Sequence, residues 1–157
     1  MNIYIKLGVA VMVCLLLSQF FQPEDNSGDY ESVKSFLVET NVNSNIESIL
    51  KKACFDCHTD KTVYPWYGKI TPINYLISHH VKEGKEHINF SNWNNYSLDK
   101  KEHKMEELYE EVEEKHMPLK SYKTFHSDAK LSSNEIDDLI HWAKKVHVQY
   151  KNSLYSK

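Results

Sequence analysis

Residues 53–58 read ACFDCH, and the five residues from Cys54 to His58 form the pattern C-x-x-C-H. The chain has 157 residues but only three cysteines and nine histidines, so chance rarely produces this spacing. Two thiols on one helical turn can add to the two vinyl groups of one haem, and the adjacent imidazole then projects toward the iron. The motif therefore predicts one covalent haem c, with Cys54 and Cys57 as attachment sites and His58 as the proximal axial ligand.

Three other interpretations of the motif stay open. A thioredoxin-like redox pair follows a strand and opens a helix, whereas this motif ends a helical pattern. A zinc site needs four ligands, so Cys54, Cys57 and His58 would need a further histidine. A disulfide between the two cysteines is the third alternative, in an oxidising compartment. We favour haem, because haem c is attached outside the cytoplasm and the N-terminal sequence predicts export.

The sequence around the motif predicts an all-α domain. Apolar residues recur at helical spacing from Ile46 to Ala53, just before the motif, and again from Ile136 to Val146. Two further helices are predicted between them, from Pro72 to about Gly84 and from Leu98 to His116. No alternation of apolar and polar residues, which is typical of strands, is long enough to predict a strand. The expected architecture is a small helical domain.

A second axial ligand should come from a separate segment that folds over the other haem face. Met117 is the best candidate because it follows a helix and precedes Pro118, which holds the thioether on a stiff loop. Its alternative role is that of a hydrophobic plug at a helix end. His116, His79 and His80 are the rival ligands.

Aromatic side chains are expected to form part of the haem pocket. The candidates are Trp66, Tyr67 and Trp93, which could shield the ring or donate hydrogen bonds to its propionates. Their alternative role is simple core packing. All 19 basic residues are lysines, so Lys69 is the candidate cation for the propionates.

The N-terminal sequence predicts export. Lys6 is the only charge before Glu24, and Leu7 to Phe21 read LGVAVMVCLLLSQFF. As a helix, residues 3–21 would span roughly 28 Å, close to the thickness of a bilayer core. We expect an uncleaved membrane anchor that leaves the rest of the chain on the periplasmic side of the inner membrane. Cleavage as a signal peptide, which would release the protein into the periplasm, is the alternative.

Composition and charge complete the predicted organisation. The net charge is −3, so no basic surplus points to nucleic acid. We expect four parts: a membrane segment at residues 1–22, a tether at 23–43 with a short helix around Glu31 to Val38, a haem-binding domain at 44–148 and a tail at 149–157.

The chain resembles the bacterial haem-binding-domain family, whose members are small exported proteins with a single haem. The resemblance covers about residues 19–146. It rests on C-x-x-C-H, YPWY at 64–67, GKEHINFSNW at 84–93 and the pair Met117-Pro118. It implies a cytochrome c-like fold. In class I cytochromes c the first and last helices pack together, and a proline carbonyl accepts a hydrogen bond from the proximal histidine. Pro72 or Pro65 could supply that carbonyl here.

These features predict an electron-transfer module rather than an enzyme. A haem with His58 and Met117 as axial ligands has no open position for a substrate, and the redox partner would be a protein that the sequence does not identify. The alternative is a haem-based sensor or peroxidase-like protein with an open or displaceable sixth position. In that case His79, His80 or His116 could supply the distal group.

Overall fold

A computed structural model describes residues 2–156 of the chain. Those residues form α-helices and short 3₁₀ helices without a strand, so the predicted all-α class is confirmed. The 3₁₀ helices cover Tyr30–Val33, Trp66–Lys69, Phe90–Asn95 and Ser127–Ala129. The α-helices are α1 (Ile3–Ser18), α2 (Lys34–Glu39), α3 (Ser44–Ala53), α4 (Phe55–His58), α5 (Ile73–His87), α6 (Leu98–Glu113), α7 (Lys120–Phe125) and α8 (Ser133–Tyr155).

The two long helices α6 and α8 make the most extensive contact in the fold. They run antiparallel, because Lys144 pairs with Glu113 whereas His147, further along α8, pairs with Glu102 near the start of α6. Each helix is amphipathic, and its apolar stripe is buried in the shared core. The buried side chains of the pair include Met105, Val112, Leu139, Ala143 and Val146.

Helix α3 packs on α8, as expected for the first and last helices of the domain. Ile49 and Leu50 are buried, and two polar contacts flank them. The Asn45 side-chain amide donates to the Asp138 carboxylate at 2.9 Å, and Lys52 forms an ion pair with Glu135. Because α3 runs directly into α4, this packing also fixes the start of the C-x-x-C-H motif.

The segment predicted as a tether, residues 23–43, instead belongs to the domain. Val33 and Phe36 are 1% and 0% exposed. The Phe36 ring lies 4.5 Å from the ring of Phe90 and 5.0 Å from that of Trp93. Helix α2 has six residues and lies where the sequence predicts a short helix, around Glu31 to Val38, but its length does not show that it packs into the core. The predicted domain start at residue 44 is therefore too late.

The predicted domain end at residue 148 is too early. Helix α8 continues to Tyr155, so most of the predicted tail is helical. Tyr150 is buried, donates a hydrogen bond to Glu39 at 2.8 Å and accepts one from the Trp93 indole at 3.2 Å. Tyr150 thus connects the C-terminal part of α8 to α2 and to the Phe90–Asn95 turn.

Helix α1 covers residues 3–18 of the predicted membrane segment, residues 3–21. Within residues 2–156, no helix is both long and apolar enough to cross a membrane. The side chain of Gln19, which follows the helix, turns toward the domain. Its amide oxygen accepts from the Thr71 backbone at 3.0 Å, and its amide nitrogen donates to the Thr71 carbonyl at 3.1 Å.

The Lys52–Glu135 contact should make stability depend on pH. Lys52 and, to a smaller extent, Ser132 lower the pKa of Glu135 to about 2. A carboxyl with a lowered folded-state pKa stabilises the fold above its unfolded pKa, and this contribution disappears as pH falls through the folded value. We expect Glu135→Gln to lower the free energy of unfolding by about 1 kcal/mol at pH 7, measured by urea denaturation.

Lys52→Met provides the matched control for this prediction. The double variant should lose less than the sum of the two single losses, because both remove the same ion pair. The difference between Glu135→Gln and the parent should shrink between pH 4.5 and pH 2. A difference that stays constant over this range would contradict the assignment.

Candidate functional site

The C-x-x-C-H motif lies at a surface cavity of about 230 Å³. Cys54 and Cys57 are both half-buried and unbridged, so neither is held in a disulfide. Residues from α4, α5, α7 and the loop before α7 close around them. The cavity lining comprises Ala53, Cys54, Asp56, Cys57, His58, His80, Glu83, Gly84, His87, Met117, Pro118, Leu119 and Tyr122.

The two thiols are neutral at physiological pH. Burial, followed by the neighbouring Cys57, raises the pKa of Cys54 to about 12. Burial, followed by Asp56, raises the pKa of Cys57 to about 11. Since disulfide exchange proceeds through the thiolate, the raised pKa values disfavour a dithiol redox role. Within residues 2–156, no three His, Cys, Asp or Glu side chains are grouped to hold a metal ion.

The imidazole of His58 is held in one tautomer by helix α5. Its Nδ1 lies 2.8 Å from the carbonyl oxygen of Gly84 and 3.0 Å from that of Ile88. Carbonyls only accept, so Nδ1 carries the proton and donates to both oxygens. Burial lowers the pKa of His58, which keeps the ring neutral. The lone pair therefore resides on Nε2, the atom that a metal would bind.

These contacts correct the expected acceptor for His58. Pro65 or Pro72 was the predicted source of the carbonyl, whereas Gly84 and Ile88, at the end of α5, supply it. Helix α5 also continues to His87 rather than ending near Gly84. The Gly84 carbonyl also accepts from the Ile88 backbone N–H at 3.0 Å, so its second lone pair serves His58. Ile88 directly follows the helix.

Gly84 allows α5 to approach the motif this closely. A Cβ atom at this position would lie 2.7 Å from the Cys57 carbonyl oxygen and 3.1 Å from the Cys57 Cβ. Such a contact is too short, and one of its partners is rigid backbone. Glycine inside a predicted helix is the sequence signal that could have identified this contact.

The structure brings Met117 to the same cavity as His58. Met117 is half-buried, and its backbone N–H donates to the Glu111 carbonyl at 3.0 Å, just before Pro118. Of the three rival histidines, only His80 lines the cavity. The side chains of His79 and His116 are each 62% exposed and lie beside glutamates on the surface.

The three aromatic residues expected at the haem pocket do not line the cavity. Trp93 is fully buried in the core, and Trp66 is 81% exposed. Tyr67 packs against Phe125 with ring centroids 5.5 Å apart. Lys69 is exposed and lies outside the cavity as well. Composition and local sequence could not separate core aromatics from pocket aromatics, because both roles favour the same residue types.

Asp56 and Tyr122 are site residues that sequence reasoning missed. The Tyr122 hydroxyl donates to Asp56 Oδ2 at 2.8 Å, and the Val63 backbone N–H donates to Asp56 Oδ1 at 2.9 Å. Burial and the Asp56 carboxylate raise the pKa of Tyr122, so the phenol keeps its proton. The two residues are 66 positions apart, and no local pattern connects them.

The donor set fits a covalently attached haem. Two neutral thiols, an imidazole with a free Nε2 and a thioether share one cavity, which is the ligand chemistry of a His/Met haem. The cavity volume lies below the range of about 300–1,000 Å³ that is typical of ligand pockets. A group as large as haem would therefore extend beyond it toward the solvent.

Comparison with known proteins points in the same direction. A family model described as "Haem-binding domain" matches residues 13–145, which is most of the chain. Searches of curated proteins and of solved structures found no match to the chain.

Gly84→Ala should separate α5 from the motif. The added Cβ meets the Cys57 backbone, and overpacking of this kind costs about 1–3 kcal/mol, although alanine favours the helix. We expect a lower free energy of unfolding in urea and a lower haem content after purification. Gly8→Ala is the control, since a Cβ at Gly8 meets no described atom within 4 Å. Equal stability of the two variants would contradict the close approach at Gly84.

Proposed function

This chain belongs to the haem-binding domain family, and we propose that it is an exported electron carrier with one haem c. The observation that carries the proposal is the shared cavity of Cys54, Cys57, His58 and Met117. Haem supplies reversible one-electron chemistry when bound. The chain supplies its attachment and its axial ligands.

Covalent attachment is the role proposed for the two cysteines. Each thiol would add across one vinyl group, so that sulfur bonds to one carbon and the thiol hydrogen ends on the other. This addition is balanced and needs no oxidant. Neutral, unbridged thiols on one turn beside the cavity support it.

Axial ligation by His58 and Met117 favours electron transfer over catalysis. With both axial positions filled by protein, no substrate can reach the metal. His58 is restrained by two carbonyl hydrogen bonds, so its ring orientation would change little between oxidation states. The thioether of Met117 would raise the reduction potential relative to a second imidazole. No acid–base group needs to be assigned, and we propose no reaction for the chain beyond electron transfer.

Export is the part of the proposal that the N-terminal sequence supports. Helix α1 is apolar and has no buried residue, and Lys6 is its only charge. A short apolar helix after a positive charge is typical of a secretory signal segment. Gln19, which immediately follows, is bonded to Thr71, so the folded domain begins at the end of this helix.

Covalent haem and export can be tested together. When the full chain is made with a cytochrome c maturation system, its band should keep haem peroxidase stain after denaturing electrophoresis. A chain that lacks residues 2–18 should stay colourless, because maturation takes place outside the cytoplasm. Cys54→Ala and Cys57→Ala should each retain one thioether bond at most. A colourless band from the full chain would overturn covalent attachment.

Met117→Ala tests the sixth ligand. Removing the thioether should open the distal position, lower the reduction potential and speed the binding of carbon monoxide to the ferrous protein. His116→Ala is the neighbouring control and should leave the spectrum unchanged, since its side chain lies outside the cavity. If His116→Ala changes the spectrum and Met117→Ala does not, the assignment is wrong.

A haem-based sensor or peroxidase-like protein is the second candidate. The observation in its favour is His80, which lines the cavity and could serve as a distal group. This candidate requires an open or displaceable sixth position. Rapid binding of carbon monoxide to the unmodified ferrous protein would favour it over the electron carrier.

A further inference from the structure

The segment that bears Met117 continues directly into helix α7, which has little packing of its own. Met117, Pro118 and Leu119 line the cavity, and α7 begins at Lys120. None of the six residues of α7 is buried. A helix without a buried face gains little stability from apolar packing. Its position therefore depends on its flanks, where Pro118 and Ala129 are buried, and on a small number of specific contacts.

One such contact joins α7 to the haem-attachment motif itself. Asp56 lies between the two cysteines of the motif and is 9% exposed. Its carboxylate accepts a hydrogen bond from the Tyr122 hydroxyl at 2.8 Å and another from the Val63 backbone at 2.9 Å. A buried carboxylate needs such donors, because an unsatisfied charge in this environment is costly. The contact thus connects α4, the following loop and α7.

The Tyr122 ring is also held on its other side. It stacks on the His126 ring, with centroids 4.0 Å apart and an angle of 13° between the planes. The stacked histidine supports the Tyr122 side chain in the position in which its hydroxyl reaches Asp56. Because Tyr122 also lines the cavity, it lies at the boundary between the cavity and the motif.

We propose that the Tyr122–Asp56 hydrogen bond is the contact that positions Met117 as an axial ligand. The inference rests on the proposed His/Met ligation and adds the residues that hold the methionine in place. Met117 and Tyr122 are five positions apart, with Pro118 between them, so displacement of α7 must displace the thioether. Tyr122 and Asp56 are positioning residues, since neither is proposed to bind iron.

Tyr122→Phe in the full haem-loaded protein tests this inference. The variant keeps the ring and loses only the hydroxyl. We expect the affinity of the ferric protein for added imidazole, measured by spectrophotometric titration, to rise about tenfold, as the loss of a hydrogen bond to a charged group would permit. The charge-transfer absorption of a thioether bound to ferric iron should weaken in parallel. Hydrogen exchange of the α7 amides should become faster.

Tyr150→Phe is a matched control. It also removes a tyrosine hydrogen bond to a carboxylate, at 2.8 Å from Glu39, but it lies outside the cavity. Both variants should lose stability in urea, whereas only Tyr122→Phe should change imidazole affinity. Asp56→Asn should keep the affinity for imidazole close to that of the parent, because its amide can accept from Val63 and donate to the Tyr122 oxygen. Asp56→Ala should behave like Tyr122→Phe.

Met117→Ala separates failure of this inference from failure of the proposed ligation. If Met117→Ala raises imidazole affinity and Tyr122→Phe does not, the ligation stands and the positioning role is overturned. The same holds if Tyr150→Phe raises the affinity as much as Tyr122→Phe does. If Met117→Ala leaves the affinity unchanged, methionine is not the ligand and the positioning role is overturned with it.

Discussion

The contact between His58 and the C-terminal turn of α5 is the constraint on which the site depends. Two carbonyl oxygens, from Gly84 and Ile88, hold the Nδ1 proton of the buried ring. That arrangement requires α5 to lie directly on α4, and only glycine at position 84 leaves room for the Cys57 backbone. One arrangement therefore fixes the tautomer of His58, the orientation of its Nε2 and the close approach of α4 and α5.

The rest of the fold serves to hold α4 and α5 in this relation. Helix α3 leads into the motif and is fixed on α8 by apolar packing and by the Lys52–Glu135 ion pair. The loop after the motif is tied to the segment that follows α1, since Gly28 donates to the Asp60 carbonyl at 2.7 Å and Asn26 donates to the Thr59 carbonyl at 2.9 Å. Residues on both sides of the motif are thus restrained before any cofactor is considered.

The two walls of the cavity differ in how firmly they are held. The α4–α5 wall has several backbone hydrogen bonds. The wall formed by the segment from Met117 through α7 has a half-buried methionine and a buried Pro118, but no buried residue in the helix. A rigid proximal side and a more weakly attached distal side are compatible with both proposed functions. Which function applies depends on how strongly the distal segment is retained. The Tyr122–Asp56 contact and the hydrogen bond from the Met117 backbone to the Glu111 carbonyl both contribute to that retention.

The sequence by itself determined the helical class, the long helices and the C-x-x-C-H motif, because these depend on spacing within a few turns of chain. Helical periodicity located α3, α6 and α8, and the pairing of Cys54, Cys57 and His58 is a local pattern. The sequence predicts a short helix within residues 23–43 but not its burial, since Val33 and Phe36 reach the core only through long-range packing. Only the tertiary structure decided that Trp93 is a core residue, that Gly84 and Ile88 rather than a proline hold His58, and that Tyr122 meets Asp56. Each of these contacts joins residues 26 or more positions apart or depends on how whole helices pack, and such distances are set by the folded chain rather than by any local pattern.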